Sequence, residues 1–115
     1  MFFDSKQMRL ISSGLNALST QQQVILHNLA NYETPGYKAK SVVFEDVLRG
    51  VQGKHQIEAR VLTDEATEMR PDGNNVDSDN ESLKLYENYV QQLYLYNKVT
   101  TQIGNYRYVL KSMAK

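Results

Sequence analysis

The chain has 115 residues, no cysteine, and 13 basic residues against 13 acidic ones. That length sets one domain as the expectation. The missing thiols exclude disulfides, thiolate metal sites and thiol catalysis. Zero formal charge argues against a general binder of nucleic acid or anionic membrane, which needs a surplus of Lys and Arg.

The first residues, Met1-Phe2-Phe3-Asp4, have neither the basic start nor the apolar run of a cleaved secretory signal. The best apolar run, Val24-Ile25-Leu26, falls far short of a membrane span. Residues 4–31 read as a helix, opened by an Asp4/Gln7 capping box. Met8, Ile11, Leu15, Leu18, Gln22, Ile25 and Leu29 follow in steps of three and four, a coiled-coil-like seam with Gln22 as its polar member. A second stripe, Leu10, Ala17 and Val24, recurs at heptad spacing off that seam.

Pro35 disfavours helical geometry at Thr34, so the helix ends at or before that point. Gly36 tolerates backbone angles that other residues resist. "ETPGY" is thus a turn that redirects the chain, with Asn28 and Asn31 placed to cap the helix end and Tyr37 to anchor the turn.

Residues 41–50 hold Phe44, Val47, Leu48 and Val51 at helical spacing, which predicts a short helix. Residues 55–63 alternate through Ile57, Ala59 and Val61, which predicts a strand. Residues 70–75, Arg-Pro-Asp-Gly-Asn-Asn, carry strong turn chemistry. The run from Asp72 is no calcium loop, because a ligand would be needed at Val76 and a glycine at Asp77. It serves better as a turn plus helix cap. His27 and His55 lie on different segments with no carboxylate pattern of a zinc site. No phosphate loop or nucleophile elbow occurs. No catalytic residue, metal or cofactor is therefore assigned, and the chain reads as a non-enzyme.

Residues 77–113 read as a second long helix, with a Ser78/Glu81 capping box, an acidic first turn and a basic end, both matched to the helix dipole. Its seam is Leu85, Tyr89, Gln92, Tyr96, Val99, Ile103 and Tyr106, continuing through Leu110 and Met113, and again holds one amide, Gln92. An antiparallel pair with Gln22 against Gln92 satisfies both amides. That register sets Leu29 by Leu85, Ile25 by Tyr89, Leu18 by Tyr96, Leu15 by Val99, Ile11 by Ile103 and Met8 by Tyr106.

The fold class expected is mainly α: a long antiparallel N- and C-terminal helix pair around a short irregular, β-containing insert. The divisions are 1–32 for the first helix, 33–76 for the turn and insert, and 77–115 for the second helix. Two helices do not account for all the apolar surface, however. Tyr94 and Tyr108 face away from the second seam, and Val90, Leu93, Leu95 and Val109 fill its flanks. A helix apolar nearly all round is buried all round. The outer face of the first helix is rich in Ser, Thr, Asn and Gln rather than charge, which suits a surface repeated in a homopolymer. Leu10, Val24, Tyr94 and Tyr108 are accordingly the expected intersubunit residues.

"NLANYETPGYKAK" (residues 28–40) closely resembles the N-terminal signature of bacterial flagellar basal-body rod proteins, roughly Asn-x-Ala-Asn-x-x-Thr-Pro-Gly-Tyr-Lys. Asn28, Ala30, Asn31, Thr34, Pro35, Gly36, Tyr37 and Lys38 carry it. "DGNNVDSDNES" (72–82) and "ENYVQQLYLYN" (87–97) are similar to later segments of the proximal members of that family. The resemblance implies a structural protein exported through the flagellar type III apparatus without a cleaved signal. It implies assembly with itself and other rod proteins into a helical tube in the cell envelope. That tube joins the membrane (MS) ring and rod-base adaptor proteins to the distal rod and transmits torque for motility. Neither nucleic acid nor a membrane span is implied. A cytoplasmic helical export chaperone or adaptor, holding a client helix on its exposed stripe, is the alternative.

Overall fold

A computed structural model describes residues 5–51, 53–67 and 69–114. Four elements follow in chain order: α1 (Lys6–Ala30), β1 (Lys40–Arg49), β2 (Lys54–Thr63) and α2 (Ser78–Met113). The helices pair antiparallel, and β1 and β2 form one antiparallel hairpin. Both helices bear on the expected segments, so the mainly α class holds. The molecule measures 70 × 31 × 14 Å. A thickness of 14 Å is little more than one helix diameter of about 10–12 Å, so few side chains can be enclosed. Among the described residues the buried apolar set is Met8, Ala17, Leu18, Ile25 and Val76.

Helix α1 is the central element, with α2 on one side and the hairpin on another. Its cap is Ser5, whose Oγ accepts from Met8 N at 3.1 Å. The expected Asp4 partner lies outside the described residues. Met8, Leu18 and Ile25 of the predicted seam are buried, and Ile11, Leu15, Gln22 and Leu29 are half-buried. The second stripe meets the hairpin side. Ala17 is buried beside Ile57, and Val24 lines a small, partly open cavity with Val42. Val24, expected to face a neighbouring subunit, is half-buried on the hairpin side of α1.

Residues 41–49 form a strand, not the short helix predicted. Val42, Val43 and Val47 favour the pleated state, and residues 54–63 offer a complete partner, from Lys40 opposite Thr63 to Arg49 opposite Lys54. The helical spacing of Phe44, Val47 and Leu48 is coincidental. Phe44 sits directly opposite Ala59 and shares a hairpin face with Ile57. Like-charged Glu45 and Glu58 also stand opposite each other. Each is neutralised diagonally, Glu45 by Arg60 at 2.9 Å and Glu58 by the Arg49 fork at 2.6 and 2.7 Å. The hairpin is fixed to α1 by Ile57 N, which donates to Ser13 Oγ at 2.9 Å.

Helix α2 presents a face rotated from the predicted one. Tyr89, Tyr96 and Tyr106, all expected in the seam, are about half exposed. The residues turned inward are Glu81, Leu85, Asn88, Gln92, Leu95, Val99 and Gln102, also in steps of four and three. Leu85, Gln92 and Val99 belong to both sets. Asn88 and Leu95 take the places expected of Tyr89 and Tyr96, and Gln102 turns inward beside Ile103, which is half-buried as expected. The reason is chemical. A buried tyrosine hydroxyl needs a partner, whereas Asn88 is fully satisfied in place. Its Nδ2 donates to Leu18 O and Gln21 Oε1, both at 2.8 Å, and its Oδ1 accepts from Gln92 Nε2 at 2.6 Å.

Gln92 Nε2 also reaches Gln22 Oε1 at 3.1 Å, so the two seam amides meet. The neighbouring contacts differ from the predicted register. Leu18 stands by Asn88 rather than Tyr96. A Cβ on Gly14 would stand 3.3 Å from Leu95 Cδ1, so the close approach of the helices there uses a glycine. Gln102 donates to Gln7 at 2.8 Å. Beyond that contact α2 continues through residues 103–113, and 104–113 are all exposed.

Candidate assembly site: the turn knot and the open helix faces

Helix α1 ends at Asn31, which is its C-cap. Asn31 Nδ2 donates to His27 O at 2.8 Å and its Oδ1 accepts from Thr34 Oγ1 at 3.0 Å. Carbonyl groups at a helix end lack intrahelical donors, and the Asn31 amide supplies one. Gly36 follows with φ 75°, the left-handed region that glycine occupies without strain. Pro35 and Ala30 are exposed and make the redirection without joining the network.

Asn28 does not cap the helix. It is fully buried and reaches across to two other segments. Its Nδ2 donates to Lys40 O at 2.7 Å and Glu81 Oε2 at 3.1 Å. Its Oδ1 accepts from Lys40 N at 3.0 Å and the Tyr37 hydroxyl at 2.9 Å. The Tyr37 hydroxyl has one proton and commits it to Asn28. It therefore accepts at 2.8 Å from His27, whose Nδ1 must carry hydrogen. Burial, and then the Glu81 charge, push the Tyr37 phenol above its usual value.

The residues 72–81 close this turn from the other side. Gly36 N donates to Asp72 O at 2.9 Å, and Lys38 Nζ to Gly73 O at 2.6 Å. Asn74 Nδ2 donates to the carbonyls of Asn31 and Thr34, while its Oδ1 accepts from Val76 N. Asn75 Nδ2 donates to the carbonyls of Asp64 and Thr67, while its Oδ1 accepts from Ala39 N at 2.6 Å. Arg70 bonds Tyr32 O and Val76 O. Three buried asparagines thus serve the backbone where no regular ladder can, each using both donor and acceptor. The turn after α1 and the turn before α2 are one bonded unit.

Sequence reasoning assigned Asn74, Asn75 and Glu81 only to a turn and a cap, and missed them as partners of the 28–40 motif. The cap of α2 is in fact Asp77, accepting from Asn80 N at 3.2 Å, not Ser78. Glu81 points inward to Asn28 and Lys84. The usable signal was the pair of adjacent asparagines in front of a buried valine.

Away from the knot lies an open apolar cleft of about 570 Å³. Gly14, Ala17 and Leu18 of α1, Phe44 and Ile57 of the hairpin, and Val90, Tyr94 and Leu95 of α2 line it. Of the four expected intersubunit residues, Tyr94 lies on this cleft and is 59% exposed. Tyr108, 73% exposed, stands at the far end of α2. Leu10 is half-buried on α1. Among the described residues no group of acidic and histidine side chains is arranged for a metal, and no helix is long and apolar enough to cross a membrane.

A family profile described as "Flagella basal body rod protein" matches residues 8–38, the run from the start of α1 through the Tyr37 turn. Over that segment the chain is similar to the flagellar basal-body rod family. Curated relatives agree in kind. The "Flagellar basal body rod protein FlgB" of Bacillus subtilis is 27% identical over 87% of this chain and 89% of its own length. The Escherichia coli protein of the same name is 27% identical over 91% and 93%. That of Salmonella typhimurium is 27% identical over 70% and 75%. The turn knot lies largely within the matched segment, from Asn28 to Lys38.

Proposed function

We propose that this chain is a structural subunit of the proximal rod of the flagellar basal body. It assembles with copies of itself and with other rod proteins into a helical tube that links the MS ring and its adaptor proteins to the distal rod, and it transmits torque. The observation that carries this is the contrast within α2. Its inward face is set by satisfied amides, while its outward face leaves Tyr86, Tyr89, Tyr94 and Tyr108 exposed on a helix with few charges there. Such a face is completed by neighbours. The small enclosed core also supports passage through the flagellar type III apparatus with little structure to unfold. We place the protein in the cell envelope, reached without cleavage of a signal.

The test is to purify basal bodies and assay them and the cytoplasm for this chain by mass spectrometry. Full-length chain within the rod fraction is expected. Retention in the cytoplasm, bound to an exported client, would contradict the proposal and favour an adaptor.

A further inference from the structure

We propose that the outer edge of β1 is a strand-addition site, and that an extended segment of another protein pairs with it. The choice of occupant rests on the rod-subunit reading. The direction of each backbone group follows from the hydrogen bonds at the ends and flanks of the hairpin. Asp64 N donates to Ala39 O at 2.9 Å, one step beyond the Lys40–Thr63 pair in the same register. In an antiparallel ladder, pairs that exchange hydrogen bonds alternate with pairs that do not. Ala39 therefore points at the β2 side, and Lys40 points away from it. Lys40 obeys this, because its N–H and its C=O both bond the Asn28 amide. Ile57, opposite Asp46, obeys it on the far edge, where its N–H meets Ser13 Oγ at 2.9 Å. The same parity turns the N–H and C=O of Phe44, Asp46 and Leu48 outward from β1.

Among the described residues nothing bonds these outward groups. They recur at every second residue, roughly 6.5–7 Å apart, the spacing that another strand reads. At Lys40 one side-chain amide, that of Asn28, already takes the place a peptide unit of a third strand would fill. Edges are commonly blunted by proline, a bulge or free charge. β1 has no proline, and its pairing with β2 is unbroken from Lys40 to Arg49. Its charged residues Glu45, Asp46 and Arg49 each hold a partner on β2, namely Arg60, His55 and Glu58. Val43, Phe44 and Leu48 are 38%, 40% and 60% exposed, so a neutral segment with apolar or β-branched side chains suits both faces of the edge. In this recognition mode the main-chain bonds give affinity and the alternate side chains give specificity.

A second copy cannot supply the strand within a rod. The outer edge of β2 is packed on α1 and bonded there through Ile57. Pairing β1 with β1 of a copy uses the same edge twice and needs a two-fold axis, which a tube of like-pointing subunits lacks. The occupant is therefore a different protein.

Proline tests the edge, since at an outward residue it removes one free N–H and spares the β1–β2 bonds. Cells whose sole copy of the gene encodes Asp46→Pro are compared with cells carrying Asp46→Ala, which loses the same side chain and its His55 bond. The alanine variant is expected in basal bodies at the wild-type level and the proline variant at least tenfold below it, with equal helix content in the two purified chains. Hydrogen exchange of the wild type decides the matter if the proline variant does not fold. The amides of Phe44, Asp46 and Leu48 should exchange at least tenfold more slowly in basal bodies than in the purified chain, while Val43, Glu45 and Val47 are slow in both. Equal exchange of the outward amides in both, or a folded proline variant that enters rods like the alanine one, would overturn the inference and leave the rod reading intact. A photoreactive benzophenone side chain at position 43 identifies the occupant. An adduct with an extended segment of another basal-body protein is expected, and an adduct joining two copies of this chain would overturn the proposal. Absence of the wild-type chain from basal bodies would instead overturn the rod reading itself.

Discussion

Asn28 on α1 and Glu81 on α2 meet side chain to side chain at 3.1 Å, both almost wholly buried. Fifty-three positions separate them in sequence. Their contact joins the segment that leaves the first helix to the segment that enters the second.

Removing that hub should be costly. Asn28→Ala would leave Lys40 N–H, Lys40 C=O and Glu81 Oε2 without their Asn28 partner, Glu81 keeping Lys84 at its other oxygen. Buried groups left this way cost about 1–3 kcal/mol each, more when charged, so a loss on the order of 3–5 kcal/mol is expected. Asn28→Asp keeps the shape but sets a carboxylate against Glu81, and should be at least as damaging. Adding Glu81→Gln should recover part of that loss, read as a non-additive term in a double-mutant cycle by urea denaturation.

Tyr37→Phe removes one proton donor from Asn28 and one acceptor from His27. About 1 kcal/mol should be lost near neutrality. The folded-state phenol pKa lies above the ordinary value of about 10. Its contribution is therefore fully present below pH about 10 and is lost as pH rises through the folded value. Wild-type stability should fall over that alkaline window by more than that of Tyr37→Phe. Equal decline in both proteins, followed by chemical denaturation, would refute the role given to this hydroxyl.

The hairpin makes an acid-side prediction. The Arg49 fork holds the Glu58 carboxyl down to about 2. A depressed carboxylate contributes stability above its unfolded pKa and loses it as pH falls through the folded one. The Glu58 carboxyl resonance should therefore titrate well below that of an ordinary glutamate. Because the pair is exposed, Glu58→Gln should change stability little.

Between the helices, Gln92→Leu should destabilise, since Gln22 Oε1 and Asn88 Oδ1 would both lose the donor they share. A loss of about 1–3 kcal/mol is expected, with Asn88→Leu at least as severe. Thermal denaturation of the two single variants checks this, and an unchanged midpoint for Gln92→Leu would contradict it.

Much of the architecture could be read before the structure was known. The two helices were visible because each keeps a three-four repeat over many turns and is bounded by cap or turn residues. The Gln22–Gln92 meeting was readable because one amide in each seam needs another. The rotation of α2 was not, because its inward Asn88 and Gln102 are polar, and the apparent stripe of tyrosines outweighed them. The strand at 41–49 was hidden by a short apolar run that fits both periods, a choice decided only by its partner at 54–63. Half of the turn knot was legible. The motif at 28–38 stood out, but Asn74, Asn75 and Glu81 act on it and on Ala39 beside it from 36 or more residues away.

The most direct measurement is electron microscopy of basal bodies from cells lacking this gene, complemented with either the intact gene or one encoding Tyr94→Glu and Tyr108→Glu. Both tyrosines are exposed, so the variant chain should fold normally, with a stability change within about 0.5 kcal/mol. The account predicts membrane rings without rods in the deletion, full rods with the intact gene, and no rods with the charged variant. Complete rods in the deletion strain, or motile cells carrying the double substitution, would contradict it.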